Sequence, residues 1–226
     1  MSEEGGERER IERVYAGYRE DRRRRRAWSA ENAGNAAIRE EVLRTLLELA
    51  PDVLAGDGAV LDAGCGAGWW LARMAQAGVA PGRLVGVDLL PERVQAARSR
   101  VPDARVLAGD VRSDLPLPPG SCSLVMLFTV LSAMGSREDV RGALTQARRV
   151  LAAGGAIAIW EPRVWTPNRH TRRIALGELR SVLGGELQVR SLTLLPPLAR
   201  RMTGRLYEPL ARVPALRTHR LVVARI

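Results

Sequence analysis

Val60-Leu61-Asp62-Ala63-Gly64-Cys65-Gly66-Ala67-Gly68 sets three glycines at alternate positions behind a short apolar run that contains an acid. A strand that stops in such a loop lets a ligand press on the backbone, because glycine has no Cβ to collide with it. The residues from Trp69 to Ala77 then read as a helix, with Trp70, Leu71, Met74 and Ala77 on one face and Gly78 as its stop. Strand, glycine loop and helix N-terminus together make a nucleotide-binding corner.

The spacing argues against a dinucleotide, since the third glycine of that fingerprint would fall at Trp69. A phosphate loop needs a lysine, and the chain has none. Further along, Leu84-Val85-Gly86-Val87 is a second apolar run that ends at Asp88, 24 positions after Gly64. An acid at that strand tip is placed to accept hydrogen bonds from ribose hydroxyls. It could equally cap the helix that opens at Pro91. A third element, from Ala104 to Ala108, runs into Gly109-Asp110, and a fourth spans Ser123 to Phe128. Asp110 also has a plainer reading, as a solvent-facing turn residue. Arg148 to Ala156 reads as a helix-to-strand junction.

Asp62-x-Gly64-x-Gly66-x-Gly68, the two later acids and this junction resemble the class I S-adenosylmethionine-dependent methyltransferase family over roughly residues 36 to 160. The resemblance implies an α/β fold: a seven-stranded Rossmann-like sheet with helices on both faces and the last strand antiparallel. It implies S-adenosylmethionine as cofactor and no metal. Gly64, Cys65, Gly66 and Gly68 would pack on its methionine and ribose parts, and Asp62 would orient the loop or the amino group. Asp88 with Leu89 would hold the ribose, Asp110 with Val111 would frame the adenine, and Phe128 and Thr129 would lie near the sulfonium.

Methyl transfer from a sulfonium forms no oxyanion, so alignment is the main task. A base is needed only when the acceptor must lose a proton. The catalytic candidates are Glu161, Arg163 and His170, on the segment expected after the fifth strand. Asn168, with Trp28, Asn32 and Asn35 from the N-terminal side, are the lid and substrate candidates. Cys65 reads as a small buried filler, and His219 as structural. The fourth strand ends in Leu127-Phe128-Thr129-Val130 and not in an Asn-Pro-Pro-Tyr-like tetrad, which disfavours methylation of base amines. A small molecule or glycan is the expected acceptor. The alternatives are RNA, gripped by arginines, and a non-methylating S-adenosylmethionine-binding protein.

The 226 residues suit one α/β domain with additions. The expected layout is an arm and lid at 1–35 and a methyltransferase domain at 36–226, with an insertion at 196–215. That insertion carries a broken helical stripe of Leu198, Met202, Leu206 and Leu210. No apolar run is long enough to span a membrane, and the polar, acidic start is unlike a secretory signal. Two cysteines do not make a disulfide framework, so a reducing cytoplasm is expected. All 35 basic residues are arginine and the net charge is +10. They concentrate at Arg22 to Arg26 and in the C-terminal quarter. Neither concentration is interleaved with the aromatics of a single-strand stacking platform.

Overall fold

The computed structural model describes residues 3–20, 32–53, 55–164, 168, 170–201 and 204–226. The sheet is built from β1 (Ala59–Ala63), β2 (Leu84–Asp88), β3 (Arg105–Ala108), β4 (Cys122–Phe128), β5 (Leu151–Pro162), β6 (Leu187–Leu194) and β7 (Arg217–Arg225). Its order is β3-β2-β1-β4-β5-β7-β6. Strands β1 to β5 pair in parallel, with Asp62 opposite Gly86, Asp88 opposite Ala108 and Phe128 opposite Trp160. Strand β7 runs against β5 at its far end, where Gly154 N donates to Ile226 O and Ile226 N to Gly155 O. This is the expected sheet with its reversed strand. Between β1 and β4 the winding changes direction, which opens a crevice at the carboxyl ends of the strands.

The α-helices among the described residues are α1 (Glu3–Glu20), α2 (Ala33–Leu49), α3 (Trp69–Gln76), α4 (Pro91–Arg100), α5 (Arg137–Val150), α6 (Leu176–Leu183), α7 (Pro196–Ala199) and α8 (Gly204–Ala211). Their ends follow local chemistry. Pro91 occupies the first turn of α4, where its missing N–H costs nothing. Ser136 and Asp139 cap α5 reciprocally, each side chain bonding the other's backbone N–H. The stripe Val140, Ala143, Leu144, Ala147 and Val150 of α5 is buried, as its spacing predicts. It joins Leu61, Val85, Val125, Leu127, Ile157 and Ile159 of the sheet in one apolar core.

The chain divides into two compact units, one of residues 1–44 and 191–219, the other of residues 45–190 and 220–226. The expected domain boundary at residue 35 falls inside α2. In the first unit Asn32 caps α2, its Oδ1 accepting from Asn35 N at 3.1 Å. Glu41, also on α2, accepts from Tyr207 Oη at 2.7 Å and Thr193 N at 2.9 Å. Arg200 donates to Asn35 Oδ1 at 2.9 Å, and a side chain on Gly34 would collide with the Ala199 carbonyl. The predicted stripe through the insertion is corrected here. Tyr207 and Ala211 face inward while Leu206 is 55% exposed, because the buried Glu41 requires the Tyr207 hydroxyl. Met202, Trp28 and Arg22 to Arg26 lie outside the described residues.

Candidate active site

All three glycines of the loop adopt left-handed backbone, with φ of 82° at Gly64, 53° at Gly66 and 73° at Gly68. The end of β2 holds them. Gly64 N and Cys65 N both donate to Val87 O, at 2.7 and 3.0 Å. Gly66 N donates to Asp88 Oδ2 at 2.8 Å, and Leu90 N donates to Asp88 Oδ1 at 3.0 Å. Asp88 therefore braces both the loop and the turn that leads into α4, whose N-cap is Leu90 and carries no side-chain cap bond. Each carboxylate oxygen keeps a lone pair for a further donor. Burial raises the Asp88 pKa, and the N–H groups of Leu90 and Gly66 oppose that rise.

Asp62 is 1% exposed, and its Oδ2 has no hydrogen-bond partner. Burial first, and the charge of Asp88 second, push its carboxyl up to about 8. A buried acid oxygen left open beside a second acid favours a cationic ligand group. S-adenosylmethionine carries two such groups, an ammonium and a sulfonium, so these residues fit the expected cofactor. Cys65 is buried, and burial drives its thiol pKa far above the ordinary range, which suits a packing residue and not a nucleophile.

At Asp110, beyond the end of β3, the structure adds a residue that the sequence reading missed. Arg112 pairs with both carboxylate oxygens of Asp110, at 3.1 Å from Nε to Oδ2 and 2.6 Å from Nη2 to Oδ2, with a third contact of 2.9 Å from Nε to Oδ1. Its Nη1 reaches Asp139 at 2.8 Å. Asp110 is therefore not a plain solvent-facing turn residue: its carboxylate is locked in an ion pair. Val111 is packed in the core and Leu89 is half-buried.

At the ends of β4 and β5, Trp70 on α3 meets Phe128 edge-on at 4.8 Å and Trp160 at 5.9 Å. Trp69 stands edge-on to Trp70 at 4.8 Å. Four of the chain's few aromatics thus gather where β4 and β5 end. Thr129, next to Phe128, is exposed and has φ of 59°. Glu161 corrects its expected place. It lies inside β5 and not after it, 1% exposed, and accepts from Leu131 N at 2.7 Å. Burial pushes its carboxyl up to about 7. Arg163 is half-buried just beyond β5. Asn168 and His170 share a turn, His170 N donating to Asn168 Oδ1 at 3.2 Å and Asn168 Nδ2 to Thr171 Oγ1 at 2.8 Å. Asn32 and Asn35, the expected lid residues, are bonded within the first unit, Asn32 through its cap of α2 and Asn35 through Arg200.

Comparison with known proteins agrees with this geometry. Residues 60–155 match the methyltransferase domain family. A 37.1 kDa protein in transposon TN4556 of Streptomyces fradiae is 39% identical over 114 residues, 49% of this chain and 32% of that one. The chain thus spans about a third of that relative's length. A Thermotoga maritima S-adenosylmethionine-dependent methyltransferase, a possible histamine N-methyltransferase, superposes with a TM-score of 0.62 at 17% identity, covering 96% of this chain and 97% of that one. A Mesorhizobium loti S-adenosylmethionine-dependent methyltransferase gives 0.58 at 21% identity, covering 81% and 96%. A Haloferax volcanii protein in complex with the Trm112 methyltransferase activator gives 0.56 at 20%, covering 87% and 99%.

Proposed function

We propose that the chain is a class I S-adenosylmethionine-dependent methyltransferase that transfers a methyl group to a small-molecule or glycan acceptor, at a hydroxyl or an amine. The observation that carries the reading is the open, buried oxygen of Asp62 beside a glycine loop braced by Asp88. When bound, S-adenosylmethionine supplies an electrophilic methyl group on a cationic sulfur. Asp62 receives the ammonium, and Asp88 receives the ribose hydroxyls through the lone pairs that its two N–H bonds leave open. The glycine loop brings backbone to the ligand where a side chain would stand. Asp110, held by Arg112, and Val111 border the adenine, while Phe128 and Thr129 border the donor end.

The protein's own contribution is alignment and exclusion of water around the reacting groups. For a hydroxyl acceptor a base is required, and His170 is the group assigned to it, with Arg163 beside the acceptor. The aromatic cluster of Trp70, Phe128 and Trp160 favours a small organic acceptor, as does the Thermotoga relative's possible histamine substrate.

The arginines also support a small acceptor over RNA. Many grip the chain's own carbonyls. Arg149 donates to Leu115 O and Leu117 O, Arg217 to Ser191 O and Ala211 O, and Arg98 twice to Val106 O. A guanidinium fork suits that role and leaves less charge for phosphates. A reducing, cytoplasmic setting goes with this reading, both cysteines being free and buried. Among the described residues no helix is long and apolar enough to cross a membrane. The test is an acceptor screen that detects release of S-adenosylhomocysteine. Release with small amines, alcohols or sugars is the expected result. Release with RNA alone, together with binding that falls steeply with salt, would overturn the acceptor assignment.

A further inference from the structure

Glu161 is an acid buried inside an apolar strand, which needs a reason. Its Oε1 accepts the Leu131 N–H at 2.7 Å, and the Ser132 hydroxyl and the N–H groups of Val130 and Ser132 act on the same carboxylate. Its Oε2 has no hydrogen-bond partner. The turn it grips begins at Thr129, whose φ of 59° is one that a β-branched residue adopts only when its surroundings impose it. Two further bonds hold that turn. Thr129 N donates to Trp160 O at 2.8 Å, and Arg172 N donates to Ser132 O at 2.9 Å.

Val130 links this turn to the glycine loop. A Cβ on Gly64 would stand 2.5 Å from Val130 Cγ2, so the valine side chain rests on the Gly64 backbone. Contacts therefore run without a gap from Glu161 through the Leu131 N–H and Val130 to Gly64. We propose that Glu161 is a positioning residue of the methyl-donor site: its carboxylate fixes the Thr129–Ala133 turn, and Val130 on that turn fixes the glycine loop. A general base must reach the acceptor's proton. A carboxylate 1% exposed and bonded to backbone is placed for support and not for proton transfer. The proposal rests on the reading of Gly64 to Gly68 as the donor site.

Two substitutions in the full-length chain separate support from simple stability. Glu161→Gln keeps an oxygen for the Leu131 N–H at nearly the same shape, whereas Glu161→Leu keeps none. Amide hydrogen exchange is read on the ligand-free protein, and affinity for S-adenosylhomocysteine by calorimetry. With Glu161→Leu, exchange should quicken at least tenfold at Thr129–Ala133 and at Gly64–Gly66, while Arg105–Ala108 of β3 stays as protected as before. Affinity should fall at least tenfold. Glu161→Gln should return both readouts to within about threefold of wild type. Should Glu161→Leu fail to fold, Val130→Ala tests the second link, with faster exchange at Gly64–Gly66 and unchanged protection at Leu131–Ala133. Wild-type protection of Gly64–Gly66 in Glu161→Leu or Val130→Ala would overturn the proposal, as would a Glu161→Gln protein as damaged as Glu161→Leu. A wild-type protein that ignores S-adenosylhomocysteine would instead sink the donor-site reading, since the exchange pattern is read without ligand.

Discussion

The molecule buries acids in two contrasting ways. In the first unit Glu41 takes two donors, the Tyr207 hydroxyl and the Thr193 N–H, and ties α2 to β6 and α8. In the second, Asp62 keeps an oxygen with no partner, and burial raises its pKa instead. A satisfied carboxylate in a dry interior holds structure, and removing it strands its donors. An open one is a standing penalty unless a ligand completes it, and such penalties gather at functional sites. Glu161 lies between the two, with one oxygen bonded and one open.

The largest expected effect is on the satisfied acid. Glu41→Ala leaves the Tyr207 hydroxyl and Thr193 N–H buried without their acceptor, so it should cost about 2–5 kcal/mol in denaturant unfolding. A loss under ~1 kcal/mol would mean that water replaces the carboxylate and that the contrast fails.

Asp62→Asn should do the opposite at high pH. The folded pKa of Asp62 is raised above its unfolded value, so the native state holds the proton across the range from about 4 to about 8. Stability from this group is then full below about pH 4 and is lost as pH rises toward 8. Glu161, pushed up to about 7, adds a slope of the same sign. The asparagine variant should flatten the decline and, at pH 8, exceed wild type by at least ~1.4 kcal/mol, the worth of one pKa unit. Equal slopes in melts at pH 4 to 8 would show that Asp62 is ionised in the free protein.

The smallest effect is at the Asp110–Arg112–Asp139 triad, which is only part-buried. Arg112→Met should cost about 1 kcal/mol, because solvent screens such pairs. Melting curves at low and high salt should show that loss shrinking as salt rises. An unchanged melting temperature at low salt would leave Arg112 without a structural part.

The glycine loop and its brace were legible because their signals are local. Asp62, Gly64, Gly66 and Asp88 lie in two short runs, and the contact joining them, Gly66 to Asp88, spans 22 positions. Strand ends, the Pro91 start and the Ser136–Asp139 box follow from neighbours in sequence. The first unit was not legible, because its bonds join Glu41 to Thr193 and Tyr207 across 152 and 166 positions, and no periodicity encodes such pairs. Tyr207 displaced Leu206 from the inner face for that reason. Glu161 misled because an acid before a proline reads as a loop, whereas here the donors of the neighbouring turn admit it into the strand. Arg112 was missed because one of its two partners, Asp139, stands 27 positions away on another element.

The donor-site claim is tested most directly by calorimetric titration of S-adenosylhomocysteine into wild type and Asp88→Ala, with NAD as the competing nucleotide. The account predicts binding to wild type, a loss of at least tenfold (~1.4 kcal/mol) in the variant, and no binding of NAD, whose pyrophosphate would meet Trp69 where the dinucleotide fingerprint has its third glycine. Wild-type affinity in Asp88→Ala, or NAD bound as tightly as S-adenosylhomocysteine, would contradict it.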